Sequence, residues 1–257
     1  MSIIISGSGL YTPEQSINNK ELVESYNQYV DSFNEEHEED IQKGSIDALI
    51  HSNEEFIKKV SGIENRYVLD KEGILNPERM RPLLKERTND QPSIQAEIAV
   101  KACLQAMESA NKQATDIDAV ICACANLQRA YPAVAIEIQN LLGIEGYAYD
   151  MNVACSSSTF GIQNAVSDLN SGLARSILVV SPEICTGHLN FKDRDGHFIF
   201  GDVCTALVLE RQEVLETGSF KIIDTKLKTV FSNNIRNNFG FLNKSEDSDL
   251  NSPDKLF

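Results

Sequence analysis

Cys155 is the residue whose type and setting best suit chemistry. It stands in Asp150-Met151-Asn152-Val153-Ala154-Cys155-Ser156-Ser157-Ser158. Tyr147–Val153 reads as a strand, and the helical pattern starts at Ser156. A thiol at a helix N-terminus faces unsatisfied amides and the positive end of the dipole, and both favour thiolate over thiol. The backbone N–H groups that follow can hold a developing oxyanion. This is the setting a nucleophilic cysteine needs. Ala154, the three serines and Gly161 are small, which leaves room for a substrate and for neighbouring backbone. The residue types alone leave two readings open: a nucleophile, and a structural cysteine at a strand–helix junction.

The other candidates are weaker. Cys122 and Cys124 lie in the apolar run Ala119–Ala125 and read as core, since no second ligand pair follows. Cys204 is a second thiol whose small size also suits a core. His37 sits in the acidic stretch 31–40, at a spacing that fits no metal motif. His188 and His197 flank Asp193-Arg194 and read as surface residues. Gly7-Ser8-Gly9 is not a dinucleotide fingerprint, because Thr12 stands where the third glycine belongs. It reads as a tight turn after a strand. No Gly-x-Ser-x-Gly elbow and no P-loop occurs.

The elements that must place Cys155 follow from periodicity. Residues 3–10 read as a strand entering a glycine turn. Residues 20–60 are helical in composition, and 61–91, with Gly62, Gly73, Pro77 and Pro82, read as loop and cap outside the core. Ser93 opens a helix to about Asn111, with apolar pairs at Ile98/Ala99, Ala102/Cys103 and Ala106/Met107. The run 119–125 is a strand buried on both faces. A helix with Pro132 in its first turn ends at Gly143 and turns Ile138, Leu141 and Leu142 to the core. The helix from Ser156 carries Ile162, Ala165, Val166 and Leu169 on one face and stops at Gly172. Strands follow at 177–180, 206–209 and 220–223, the last two as adjacent strands. Such alternation predicts a mostly parallel or mixed sheet with helices packed on both faces.

The chain has 257 residues, 42% of them hydrophobic and 24% charged, so it can build a large core. Its net charge of −15 disfavours binding to nucleic acid or to anionic membrane surfaces. No run reaches a membrane span, and Met1–Ile5 lacks the marks of a signal peptide. Six scattered cysteines in apolar context read as reduced and cytoplasmic.

Several blocks together resemble the β-ketoacyl-acyl-carrier-protein synthase III family of the thiolase-like superfamily. They are Ile5–Pro13, Ser61-Gly62-Ile63-Glu64-Asn65-Arg66, Val153-Ala154-Cys155-Ser156-Ser157, Asp193-Arg194 and Phe200-Gly201-Asp202. Their order and spacing cover the chain to about residue 231. The resemblance implies an α/β, thiolase-like fold, present here as one βαβαβαββ half of the usual duplicated pair. Residues 1–231 would form that half, with an expanded cap over about 25–92. Residues 232–257 would be a linker or the start of a C-terminal half. Cys155 would take an acyl group from acyl-CoA, and a malonyl group on acyl carrier protein would decarboxylate and attack it. Arg66 would lie near the CoA entrance and bind substrate. The segment Leu127–Pro132 would lie near a homodimer interface and the acyl tunnel. No metal or cofactor is expected beyond the two substrates.

Two departures from the family pattern stand out. Val203-Cys204-Thr205-Ala206 replaces a stretch rich in glycine and alanine. The family's catalytic histidine and asparagine match no motif here, so they belong to the other half. Two alternatives follow: a non-catalytic half-synthase that binds a partner synthase or carrier protein, and a related condensing enzyme with a different product.

Overall fold

The computed structural model describes residues 2–212, 218–233, 240 and 245. The chain divides into two units. The first comprises Met1–Thr12, Glu86–Ile184 and Val203–Thr229, and the second Pro13–Lys85, Cys185–Asp202 and Val230–Phe257. The segment 232–257, read above as a linker or the start of a second half, falls almost wholly outside the described residues.

The first unit is built on a mixed six-stranded sheet. Its strands are β1 (Ser2–Tyr11), β4 (Ala119–Ala123), β5 (Tyr147–Met151), β6 (Ser176–Ile184), β7 (Asp202–Gln212) and β8 (Phe220–Lys221). They lie in the order β5-β4-β6-β7-β1-β8. β4 pairs parallel with β5 and β6, whereas β1 pairs antiparallel with β7 and β8. The two last strands, read from the sequence as adjacent, instead flank β1, which pairs with both. Every residue of β4 is buried, as its unbroken apolar run requires.

Helices cover both faces of this sheet. α5 (Ile94–Ser109) begins at the Ser93 cap and packs on β1 and β6. α6 (Val134–Leu142) packs on β4, β5 and α5. α7 (Ser157–Ser171) lies on the other face, where Ala165 and Leu169 join Ile121, Ala123, Ile177 and Val179 in one core.

Two expectations in this unit are corrected. Gly7-Ser8-Gly9 is not a turn, because β1 continues through it to Tyr11, with a register shift against β7 between Ile5 and Gly7. A Cβ on Gly7 would stand 2.2 Å from the Ala106 carbonyl oxygen, and one on Gly9 2.0 Å from that of Ala102. The glycines are there so that α5 can lie against the strand. The helix after Pro132 starts at Val134, and its Leu141 is exposed rather than core-facing. That helix covers the sheet with Val134, Ala135 and Ile138.

The second unit has its own core. β2 (Gln15–Asn18) pairs antiparallel with β3 (Asn65–Val68), with Ile17 opposite Arg66. α1 (Asn19–Glu36) starts at a capping box between Asn18 and Glu21. α2 (Glu38–Gln42), α3 (Glu54–Ser61) and α4 (Lys71–Leu75) follow. Ile17, Leu22, Tyr26, Val30, Ile57, Val68, Ile74, Met80, Leu189, Phe191 and Phe198 pack together. The stretch 61–91, expected to lie outside the core, thus supplies Val68, Ile74 and Met80. Its prolines and charges hide short apolar pieces that periodicity over so few residues cannot mark.

Candidate active site

Cys155 stands just beyond the end of β5, two residues before α7. It is exposed, whereas Cys103, Cys122, Cys124 and Cys204 are buried and Cys185 is partly so; all six are free thiols. Burial pushes the Cys103 thiol up to about 12. It also raises Cys122, Cys124 and Cys204. These four are core residues, as their apolar context suggested.

The bend that presents Cys155 is a set of short contacts. Ala154 has φ of +49°, a left-handed conformation that costs a side chain about 1–2 kcal/mol. The Ala154 N–H donates to Asn152 Oδ1 at 2.8 Å. The Ala154 carbonyl accepts from Ser157 Oγ at 2.7 Å and from the Ser157 N–H at 3.0 Å. Ser157 Oγ in turn accepts the Val153 N–H at 2.9 Å. The Ser156 N–H is taken by the Val153 carbonyl at 3.1 Å. The amides of Ser156 and Ser157, which the sequence offered as oxyanion donors, thus meet the carbonyls of Val153 and Ala154 inside the bend. Gly161 also has a different use: a Cβ there would come within 2.9 Å of Ala123 Cβ and 3.0 Å of Val179 Cγ1. Its smallness lets α7 close on the sheet.

Residues that the sequence did not single out hold the surroundings. Asn152 Nδ2 donates to the Ala125 carbonyl at 2.6 Å, and the Ala125 N–H donates to Glu183 Oε1 at 2.8 Å. Burial raises the Glu183 carboxyl. Gln95 Nε2 donates to the carbonyls of Asn126 and Pro182, and its Oε1 accepts the Gln128 N–H. The loop after β4 is thereby pinned at Ala125, Asn126 and Gln128. Tyr131 further along it is 86% exposed. Asp150 accepts the N–H groups of Val134 and Ala135 at 2.8 and 2.7 Å and so caps α6. An asparagine two residues before an alanine–cysteine pair was the available sequence signal, since Asn favours this local turn.

Arg66 lies in the second unit and is buried. Its Nε donates to the Phe198 carbonyl and its Nη1 to the Ile17 carbonyl, both at 3.2 Å, while Nη2 donates to Asn19 Oδ1. Burial lowers its pKa to about 10. The Phe-Gly-Asp block also sits here. Asp202 accepts the Leu69 N–H at 2.8 Å, the Thr186 N–H at 3.0 Å and Thr186 Oγ1 at 2.8 Å. A Cβ on Gly201 would meet the Tyr67 carbonyl oxygen at 2.5 Å.

His197, read as a surface residue, is fully buried. It stacks on Tyr26 with ring centroids 4.8 Å apart, and its Nδ1 lies 2.8 Å from the Arg194 carbonyl. A carbonyl can only accept, so Nδ1 carries the proton. Burial lowers its pKa to about 4. His188 is half-buried rather than a surface residue, and burial lowers its pKa as well. Among the described residues no group of three or more His, Cys, Asp or Glu could hold a metal ion, and no helix is long and apolar enough to cross a membrane.

A mixed sheet with helices on both faces, and a cysteine at the turn from a parallel edge strand into a helix, define a thiolase-like α/β protein. Residues 149–230 match the family model for 3-oxoacyl-[acyl-carrier-protein] synthase III. A β-ketodecanoyl-[acyl-carrier-protein] synthase of Pseudomonas aeruginosa is 57% identical over 91% of this chain and 67% of its own length. A β-ketoacyl-[acyl-carrier-protein] synthase III of Allorhizobium ampelinum is 31% identical over 65% of this chain and 46% of its own. The crystal structure of the synthase III of Aquifex aeolicus superposes with a TM-score of 0.61 at 25% identity, covering 82% of this chain and 55% of that one. The chain belongs to the 3-oxoacyl-[acyl-carrier-protein] synthase III family. It spans about two thirds of the Pseudomonas relative and about half of the others.

Proposed function

We propose that this chain carries the acyl-transfer centre of a β-ketoacyl-[acyl-carrier-protein] synthase of fatty acid synthesis, with Cys155 as the acyl acceptor. The Cys155 sulfur attacks the thioester carbonyl of an acyl-CoA, and CoA leaves as its thiol. Malonyl-[acyl-carrier-protein] then loses carbon dioxide. Its carbanion attacks the acyl-Cys155 carbonyl, a C–C bond forms, the C–S bond breaks, and the Cys155 thiolate leaves and takes up a proton from solvent. The observation that carries this reading is the exposed Cys155 on a bend fixed by Asn152 and Ser157.

The Pseudomonas relative named for a β-ketodecanoyl product supports an eight-carbon starter, because the malonyl unit adds two carbons. Arg66 enters the proposal at the CoA side. Its guanidinium is committed to Ile17, Asn19 and Phe198, so it aids substrate through the chain segments it holds. His197 is a poor candidate for decarboxylation, being buried with its Nδ1 proton already given to a carbonyl. We place that step on residues of a second half. The domain reading is likewise a proposal: residues 1–231 as one half, with 232–257 leading onward. A homodimer in the cytoplasm completes it. β5 ends the sheet and offers an edge to a second copy, and six free thiols suit a reducing compartment.

The test is incubation of the full-length protein with octanoyl-CoA, followed by peptide mass spectrometry. The octanoyl group is expected on the Cys155 peptide and absent from Cys155→Ala. A full-length Cys155→Ala protein that still becomes acylated would overturn the proposal.

A further inference from the structure

We propose that Asn152 and Glu183 are positioning residues for Cys155, acting through three hydrogen bonds that link four residues; this rests on the reading of Cys155 as the acyl acceptor. The links are Glu183 Oε1 to the Ala125 N–H, the Ala125 carbonyl to Asn152 Nδ2, and Asn152 Oδ1 to the Ala154 N–H. Each is between 2.6 and 2.8 Å.

The chain has one sense only. A backbone N–H must donate and a carbonyl must accept, so the Asn152 amide has a single orientation that serves both neighbours. Asn152 therefore ties the loop after β4 to the residue before the nucleophile. That residue, Ala154, is held at φ +49°. Alanine does not stay there unaided. Ser157 secures its carbonyl side, and Asn152 secures its amide side. Releasing the amide lets Ala154 relax toward negative φ, and the peptide that carries Cys155 turns with it.

Glu183 is the far anchor. It lies at the end of β6, and the backbone bond from the Cys124 N–H to the Met151 carbonyl at 3.2 Å already joins the neighbouring strands. Glu183 fixes the next peptide by its Ala125 N–H, and the Ala125 carbonyl that accepts from Asn152 lies on the far side of the same Cα. A carboxylate oxygen or a neutral amide oxygen can each accept the Ala125 N–H.

The experiment uses the full-length protein. The rate of iodoacetamide alkylation at Cys155 is followed by peptide mass spectrometry, together with kcat and KM for octanoyl-CoA. Asn152→Ala is expected to lower the alkylation rate and kcat by about tenfold or more, with KM for octanoyl-CoA within about twofold. Adding Ala154→Gly to Asn152→Ala is expected to recover about threefold, because glycine holds positive φ without help. Glu183→Ala is expected to follow Asn152→Ala, and Glu183→Gln to stay near the parent rate.

A parent alkylation rate in Asn152→Ala overturns the proposal, as does a loss that glycine does not recover. If Asn152→Ala does not fold, the Glu183 pair decides: equal rates in Glu183→Ala and Glu183→Gln overturn it. A parent protein that alkylates but takes no octanoyl group sinks the acyl-acceptor reading alone, and the alkylation ratios still decide the positioning role.

Discussion

Gly9 lies so close to Ala102 that a Cβ on the glycine would stand 2.0 Å from the Ala102 carbonyl oxygen. The contact is backbone on backbone, so no side-chain rotation relieves it. Gly9→Ala must push α5 off β1, and we expect a loss of about 3 kcal/mol or more. Gly44 is the control, with φ of +73° and no atom within 4 Å of an added Cβ. Gly44→Ala is expected to cost only about 1–2 kcal/mol, the left-handed penalty. Urea unfolding of the two variants measures the difference. Equal losses would show that the close approach does not matter.

The six thiols should separate by reactivity. Cys155 is exposed, Cys185 partly so, and the other four are buried. One fast equivalent of iodoacetamide is expected on Cys155, with Cys103, Cys122, Cys124 and Cys204 reacting only after unfolding. Peptide mapping over a time course reads this. A fast equivalent that persists in Cys155→Ala would contradict it.

Asp202 gathers two amides and a hydroxyl while itself only 2% exposed. Asp202→Ala leaves those donors without an acceptor in a dry site, and about 3 kcal/mol of stability should go with it. Asp202→Asn keeps one acceptor oxygen and should lose less. Denaturant midpoints for the pair decide, and an alanine variant as stable as the asparagine variant would mean the tie is idle.

His197 makes stability depend on pH in a known direction. Its folded pKa is depressed to about 4 from the usual 6.5 of a histidine, through burial first. The unfolded chain therefore binds more protons between those values, and stability is lost as pH falls from about 6.5 toward 4. The full effect is about 3 kcal/mol, from 1.36 kcal/mol per pKa unit. His197→Phe removes the titrating group, so the parent-minus-variant stability difference should shrink by up to that amount between pH 7 and pH 4. Urea unfolding at the two pH values is the measurement. A difference that does not change with pH would place the proton elsewhere.

Local pattern by itself determined the central strands of the sheet and the helices α5, α6 and α7 with their stops. β4 is an unbroken apolar run, α5 has a clean helical stripe after Ser93, and Gly143 and Gly172 end α6 and α7 in left-handed conformation. These features depend on neighbours within a few residues, which is why they are legible. The junction position of Cys155 was legible for the same reason. Tertiary structure alone decided the rest. Gly7 and Gly9 became strand because a helix about a hundred residues away needed their missing side chains. His197 became core because Tyr26 covers it. The hold on Ala154 runs through Asn152 and Ala125 to Glu183. Such partners meet only after the chain has folded, and a hydrogen bond or a close approach between distant residues leaves no periodic trace in the sequence.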